Sequence, residues 1–208
     1  MITENMLSAL RREVATHLSE YRMAHTLGVE EMAAELAELL CPAQKNLLRA
    51  AALLHDVTKE LPDEEQLALL RASGVALRAD EQASPQIWHA MTAALVIPAR
   101  YPDFADAALI SAVRWHATGR VDMTLTEAIV YLSDYMERGR RFADCIAVRE
   151  AFFGAAPQEM TARARRRHLR DALLLSYEKT VLKLQARGQG ICADTLQAMA
   201  DLKNKETI

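Results

Sequence analysis

The sequence predicts an all-α protein, and three observations support this fold class. Alanine and leucine, two of the strongest helix formers, contribute 37 and 28 of the 208 residues. Only 7 glycines and 6 prolines are present to interrupt helices. Apolar residues also recur in most segments at the spacing that places them on one face of a helix. These features leave little room for a β-sheet.

The apolar spacing predicts a series of helices, several of which begin or end at a helix-breaking residue. Pro62 precedes an acidic first turn at residues 63–65, which the helix dipole favours, and Gly74 ends that helix. Residues 75–84 are predicted to form a loop. The other predicted helices cover residues 5–19, 22–40, 43–56, 85–99, 103–116, 124–137, 144–153, about 159–187 and about 193–203.

Composition excludes several classes of protein. With 51% hydrophobic and 25% charged residues, the chain is not expected to be disordered. A net charge of -3 argues against a general nucleic-acid binder. No apolar run is long enough to suggest a membrane span, and the first residues do not resemble a signal peptide. The three cysteines, Cys41, Cys145 and Cys192, are an odd number without metal-ligand spacing, so we expect reduced thiols in a cytoplasmic protein.

The pair His55-Asp56 is the first candidate for a functional site. It directly follows the apolar stretch 50–54, where burying a histidine and an aspartate costs free energy unless something compensates them. A bound cation would do so, because imidazole nitrogen and carboxylate oxygen are good ligands for divalent metals. Lys59 lies one turn later and could contact an anionic substrate. The alternative is a polar pair that is satisfied at the end of a helix.

Further histidines and an aspartate occur on other predicted helices. They are His25, His89, His116 and Asp134. Each has a structural explanation when taken alone, such as a hydrogen bond to a backbone carbonyl or an ion pair. Their order along the chain, His, His-Asp, His, His and Asp, is more specific than any one member.

This order resembles the HD superfamily of metal-dependent phosphohydrolases, in which a helical bundle brings such side chains together around one or two ions. The motifs are similar to those of the YqeK-type symmetrical bis(5′-nucleosyl)-tetraphosphatases. They are His25-Thr26-Leu27-Gly28-Val29, Leu53-Leu54-His55-Asp56-Val57-Thr58-Lys59-Glu60-Leu61-Pro62, His116-Ala117-Thr118-Gly119-Arg120 and Leu132-Ser133-Asp134-Tyr135-Met136-Glu137-Arg138-Gly139-Arg140. The resemblance covers about residues 20–145, and the C-terminal helices at about 155–203 match only in helical character. We expect residues 1–208 to form a single HD-type domain.

The resemblance implies symmetrical hydrolysis of diadenosine tetraphosphate to two ADP at an iron-containing centre of one or two ions. Imidazole and carboxylate ligands would also suit other divalent transition metals. The implied metal ligands are His25, His55, Asp56 and Asp134, with His89 and His116 added if a second metal is present. Asp56, Lys59, His89 and His116 are the predicted catalytic residues, and the alternative role of His89 and His116 is to hydrogen-bond the phosphate oxygens.

Phosphate oxygens are expected to be bound by cationic side chains, because arginine and lysine suit phosphate recognition. The candidates are Arg22, Lys59, Arg120 and Arg140. Adenine is expected to stack in a pocket between the helix of His89 and residues 116–140. Trp88, Trp115 and Tyr135 are the candidate stacking residues.

Other functions remain open at this point. The same scaffold could serve another HD-type nucleotide phosphohydrolase or phosphodiesterase, a nucleotide-binding regulatory module without turnover, or a helical interaction protein without a metal. The expected partners are a dinucleoside polyphosphate substrate and an ADP- or GDP-like product, with no nucleic acid and no membrane. The sequence leaves the oligomeric state open, with a homodimer among the alternatives.

Overall fold

The computed structural model describes residues 1–208 and contains eleven α-helices and no strand, which confirms the predicted all-α class. Short 3-10 turns precede several of the helices. The helices are α1 (Glu4–Val14), α2 (Glu20–Leu40), α3 (Lys45–Leu54), α4 (Asp63–Ala72), α5 (Ala79–Gln82), α6 (Trp88–Arg100), α7 (Ala107–Trp115), α8 (Leu125–Met136), α9 (Ala143–Gly154), α10 (Ala162–Ala186) and α11 (Ala193–Lys203). None of them combines the length and the apolarity that a membrane span requires.

Most predicted helices occur close to their expected positions, and the differences have local causes. The helix expected at residues 5–19 ends at Val14, because the chain turns and Ser19 caps the next helix by accepting a hydrogen bond from the Arg22 amide. Pro85 and Pro102 each begin a 3-10 turn, so the helices predicted from residues 85 and 103 start three to four residues later. The predicted loop 75–84 contains the one-turn helix α5.

Two helices run through the middle of the bundle. Nine of the thirteen residues of α6 and ten of the twelve residues of α8 are buried. Helix α8 packs against α2, α3, α7 and α10, while α6 packs against α7 and α4. The main apolar core contains 42 buried residues that come from the first helix, the last helix and most helices between them. This continuity supports the proposal that residues 1–208 form one domain.

Residues 78–80, which precede α6, contact the start of the last helix, α11, through polar groups. Arg78 lies 2.7 Å from Asp194 in an ion pair, and Asp80 accepts a hydrogen bond from the Ala193 amide. A small apolar cluster beneath these contacts joins Leu70, Ile87, Trp88, Met91 and Cys192. The C-terminal helices are therefore attached to the same end of the bundle at which α6 begins.

Candidate metal centre

Four of the six histidines meet at one end of the bundle together with two aspartates. Each of them lies at or near the end of a helix, where the side chain can leave the apolar core. His25 lies in the second turn of α2, His55-Asp56 directly follows α3, His89 is the second residue of α6, His116 caps α7, and Asp134 lies in the last turn of α8. The structure therefore brings together all six predicted ligand residues.

Asp56 lies at the centre of this cluster and faces a different pair of histidines with each oxygen. Its Oδ2 is 3.5 Å from Nε2 of His55 and 3.8 Å from Nε2 of His25. Its Oδ1 is 3.3 Å from Nε2 of His89 and 3.8 Å from Nε2 of His116. One carboxylate could therefore bridge two cation positions, as a shared ligand does in centres with two metals.

Asp134 completes the first of these positions. Its Oδ1 lies 3.0 Å from Nε2 of His25 and 3.7 Å from Nε2 of His55. The ligand atoms of His25, His55 and Asp134 all lie within 4.8 Å of one another, and so do those of His55, Asp56 and His116. Such spacing allows three side chains to contact one ion.

Backbone carbonyls orient two of the histidines. Nδ1 of His55 lies 2.6 Å from the carbonyl oxygen of Ala52, and Nδ1 of His116 lies 2.7 Å from that of Val113. An N–H at Nδ1 that donates to a carbonyl leaves the lone pair on Nε2, which is the atom that faces the cluster. This is the tautomer that a metal-binding histidine needs.

The cluster fits a divalent metal. Nε2 of His55 is buried and has no hydrogen-bond partner, although carboxylate oxygens of Asp56 and Asp134 lie 3.5 and 3.7 Å away. A buried polar atom without a partner is costly, and a cation between these atoms would remove that cost. Imidazole and carboxylate ligands suit several divalent first-row metals. These residues can therefore hold a metal.

Sequence reasoning did not identify Glu137, which orients His25 from the side away from the cluster. Its Oε1 lies 3.1 Å from Nδ1 of His25, and its other oxygen accepts the amide hydrogen of Gly139. Gly28 makes room for this carboxylate, because a Cβ at that position would lie 2.7 Å from Oε2 of Glu137. Glu137 lies three residues after Asp134 at the end of α8, and that spacing was the available signal.

Burial and charge adjust the protonation states in the cluster. Burial lowers the pKa of His116 to about 4 and that of His89 well below its ordinary value. Burial would raise the pKa of Asp56, but the surrounding histidines outweigh it and hold this pKa well below the usual range. Neutral imidazoles and an ionised carboxylate are the states that bind a metal.

His25 differs from the other histidines of the cluster. Burial opposes its charged form, but hydrogen bonding to Asp134 and Glu137 outweighs burial and raises the pKa of His25 to about 9. A cation bound between His25 and Asp134 would compete with this proton, because metal binding to histidine releases protons.

Three of the four predicted phosphate-binding cations surround the cluster. Arg22 donates from Nη1 to Oδ2 of Asp56 over 2.8 Å, and Arg140 pairs with Asp134. Nζ of Lys59 lies 2.9 Å from Nδ1 of His89, and burial lowers the pKa of Lys59. All three line the cavity described below.

Arg120 is not brought to the cluster, contrary to the sequence-based expectation. It follows a left-handed turn at Gly119, whose φ is 67°, and its Nε donates to Oε1 of the fully buried Glu127 over 3.0 Å. Arg120 lines a different cavity, beside the first turn of α8. The motif His-x-Thr-Gly-Arg cannot by itself indicate the direction in which the arginine side chain points.

The predicted stacking residues are also placed differently. Trp88 is buried and donates from its indole nitrogen to the carbonyl of Glu81, and Trp115 lies against Arg114 in a separate groove. Tyr135 does line the cavity, but it is 9% exposed and its ring stacks with that of Tyr131. Helical spacing cannot distinguish an aromatic residue in the core from one at a cavity.

A cavity of about 900 Å³ opens over the cluster. Such a volume is within the range of ligand-binding sites. Its floor includes His25, Asp56, His89, His116 and Asp134, and its outer wall contains residues from the start of α9, from α10 and from the start of α11. The C-terminal helices, for which the sequence predicted no role, therefore form part of the cavity.

Comparison with known proteins agrees with this geometry. The model of the HD domain family matches residues 22–139, which is more than half of the chain and contains all six cluster residues. The chain therefore belongs to the HD domain family. Within that family it groups with the proteins named symmetrical bis(5′-nucleosyl)-tetraphosphatase, as its relatives indicate.

Two of these relatives match nearly the whole chain. The symmetrical bis(5′-nucleosyl)-tetraphosphatase of Bacillus subtilis is 30% identical over 182 residues, covering 88% of this chain and 89% of that protein. The protein of the same name from Halalkalibacterium halodurans is 32% identical over 187 residues, with the same coverage of 88% and 89%.

A solved structure shares the complete fold. The crystal structure of a predicted HD superfamily hydrolase involved in NAD metabolism, from Clostridium acetobutylicum, aligns with a TM-score of 0.82 and 26% identity. The alignment covers 98% of each chain. The prediction of an HD-domain helical bundle is thereby confirmed.

Proposed function

We infer that this protein is a hydrolase that cleaves diadenosine tetraphosphate and related dinucleoside polyphosphates symmetrically, with two ADP as the products of the adenosine substrate. The convergence of four histidines and two aspartates on one buried cluster, with Nε2 of His55 unpaired, is the observation that carries this function. The names of the relatives support the substrate class.

We propose iron as the metal, in one or two positions. His25, His55, Asp56 and Asp134 would hold the first ion, and the spacing of the two Asp56 oxygens supports a second position that His89 and His116 would complete. A bound divalent metal supplies Lewis-acid activation of water and of a phosphoryl oxygen. Reduced cysteines remain the basis for proposing the cytoplasm as the compartment of the reaction.

The chain's own cations would hold the polyphosphate over this centre. Arg22 and Arg140 each contact a carboxylate of the cluster and present their guanidinium groups to the cavity, where they would bind phosphate oxygens in a fixed direction. Lys59 would contribute a further cation near His89. Together they would offset the charge of a substrate that the net acidic protein would otherwise repel.

Symmetrical cleavage requires that water attacks at the phosphorus that leaves ADP on both sides. The chemistry of the cluster alone does not select that phosphorus, because a metal can polarise every phosphoryl group of the tetraphosphate in the same way. Selection must therefore come from the position in which one nucleoside half is bound in the cavity.

Product analysis tests this function. We expect metal-loaded protein, prepared without oxygen, to convert diadenosine tetraphosphate to ADP as the only nucleotide product on chromatography. His55→Ala and Asp56→Ala should each lower the rate by more than about 100-fold. Even mutation of a residue that only hydrogen-bonds to a metal ligand lowers metal affinity or activity by about 10- to 100-fold.

The exposed histidine His17, whose side chain lies 3.0 Å from Nη2 of Arg100 and outside the cluster, provides a matched control. His17→Ala should retain the metal and the activity of the original protein. Formation of ATP and AMP, or full activity in His55→Ala, would contradict the proposed reaction.

A further inference from the structure

Two exposed aromatic side chains lie at the cavity that contains the metal cluster. Tyr21 and Phe142 are 79% and 57% exposed, and they are the only aromatic residues among the large exposed hydrophobic side chains of the chain. Both line the cavity. An aromatic ring in water gives up the free energy that burial would provide. Two such rings at a single cavity suggest that a ligand covers at least one of them.

Phe142 is the ring that the structure supports from behind. It directly precedes α9, and Nζ of Lys183 on α10 lies 4.9 Å from the centre of its ring. Nζ of Lys183 lies 2.9 Å from Oδ2 of Asp144 in an ion pair. The same oxygen accepts a hydrogen bond from the hydroxyl of Tyr135. One face of the ring is thus covered by a fixed cation, while more than half of the residue stays open to solvent.

The neighbours of Phe142 place this ring beside the expected polyphosphate site. Arg140, which pairs with Asp134 in the metal cluster, lies two residues earlier in the chain. Their Cα atoms can therefore be at most about 7 Å apart. A base stacked on Phe142 would leave its phosphates next to Arg140 and the cluster.

We propose that Phe142, backed by Lys183, is the platform on which a nucleobase of the substrate stacks. This inference rests on the proposed function and replaces Trp88, Trp115 and Tyr135 as the stacking residues. Every nucleobase has a π face, so stacking provides affinity with little choice between bases. By holding one nucleoside at a fixed distance from the metal cluster, the platform determines which phosphorus lies over that cluster.

Calorimetric binding of the product ADP and of inorganic pyrophosphate to metal-loaded protein separates base stacking from phosphate binding. We expect Phe142→Ala to weaken ADP binding by about 5- to 150-fold, which corresponds to ~1–3 kcal/mol for the loss of one base stack. Pyrophosphate, which has no base, should bind equally well to both proteins. Phe142→Tyr keeps an aromatic face and should restore most of the ADP affinity.

Leu182→Ala serves as the matched control, because Leu182 is an apolar residue on α10 that is 65% exposed and does not line the cavity. It should leave ADP binding unchanged. Unchanged ADP affinity in Phe142→Ala would overturn the platform, as would an equal loss for ADP and pyrophosphate. Failure of the unaltered protein to bind ADP would also overturn it.

These outcomes are distinguishable from failure of the proposed function. If the protein released products other than ADP from diadenosine tetraphosphate, and Phe142→Ala still weakened ADP binding selectively, the proposed reaction would be wrong and the platform would stand. If symmetrical hydrolysis occurred and the ADP affinity were independent of Phe142, the proposed reaction would stand and the platform would be wrong.

Discussion

His25 is held from two sides, by Asp134 within the cluster and by Glu137 behind it. The contact of Glu137 with Nδ1 directs Nε2 of His25 towards the cluster, where it lies 3.0 Å from Oδ1 of Asp134. Second-layer carboxylates of this kind fix the tautomer and the orientation of a metal-binding histidine. Gly28 and Gly139 allow the carboxylate to approach, since a Cβ at either position would lie within 2.8 Å of it.

Glu137→Gln should therefore weaken metal binding without unfolding the protein. A neutral amide keeps the shape of the side chain but no longer supports the basicity of His25, so we expect a 10- to 100-fold loss of metal affinity, on the order of that seen for outer partners of metal ligands. Competition with a chelator measures it. Glu38→Gln, at an exposed glutamate that lies on α2, the helix of His25, and pairs with Lys45, should not change the affinity. Equal affinity in both variants would be evidence against an orienting role.

Individual residues could be predicted where their chemistry conflicts with their surroundings. His55-Asp56 after an apolar run and Asp134 on an apolar helix both needed a compensating partner, and the cluster provides one. Glu137 and Phe142 could not be predicted in this way, because a glutamate and a phenylalanine near a helix end have many uses. Their roles depend on the folding of α2 and α10 against them.

Arg120 belongs to the motif His-x-Thr-Gly-Arg, but its contacts are with the first turn of helix α8 and not with the metal cluster. Thr124 and Glu127 form a capping box, in which each side chain accepts the backbone amide hydrogen of the other. Glu127 is fully buried and also accepts hydrogen bonds from Ser111 and Arg120. This network joins α7 to α8 and so fixes the positions of His116 and Asp134 relative to each other.

Arg120→Ala should lower stability and leave substrate binding unchanged. It removes a charged donor from a buried carboxylate, so we expect the free energy of unfolding to fall by about 1–3 kcal/mol in chemical denaturation. The KM for the dinucleotide substrate should stay the same. Arg12→Ala, at an exposed arginine on α1, controls for the loss of a surface charge. A higher KM with normal stability would instead indicate that Arg120 binds phosphate.

At the scale of elements, hydrophobic spacing predicted the helices well and their ends less well. The ends of α1 and α6 depend on capping by Ser19 and on the turn at Pro85, which are local interactions that override spacing. Helix α5 is a single turn, too short for any periodic signal, and its capping contact between the Arg78 amide and Glu81 becomes visible only in the structure.

The whole molecule is organised around one polar point in an otherwise apolar bundle. Five segments, α2, the end of α3, α6, α7 and α8, each bring at least one cluster residue to it. An ion in the first position would link α2, the end of α3 and α8, and a second ion would add α6 and α7, because the six ligands come from these five segments. Binding to the folded state alone must then stabilise the whole fold.

Removal of the metal should accordingly lower the melting temperature. At a free metal concentration of about 100 times Kd, the stabilisation is about 2.7 kcal/mol, and for a chain of this size we expect a shift of roughly 5–11 °C between chelated and metal-loaded protein. Scanning calorimetry measures the shift. His55→Ala should melt at the same temperature with and without metal, and an equal shift in that variant would show that the metal binds elsewhere.

The outer wall of the cavity lies beyond residues 22–139, which the HD family model matches, because Phe142, Lys183 and the start of α11 all follow that range. In the proposed function, residues within the range of the family model would carry the hydrolytic chemistry, and residues that follow it would bind the nucleobase. Substitutions in the residues after 139 could change which dinucleotides bind without changing the metal cluster. Related enzymes could therefore diverge in substrate preference through their C-terminal thirds while their histidines and aspartates stay fixed.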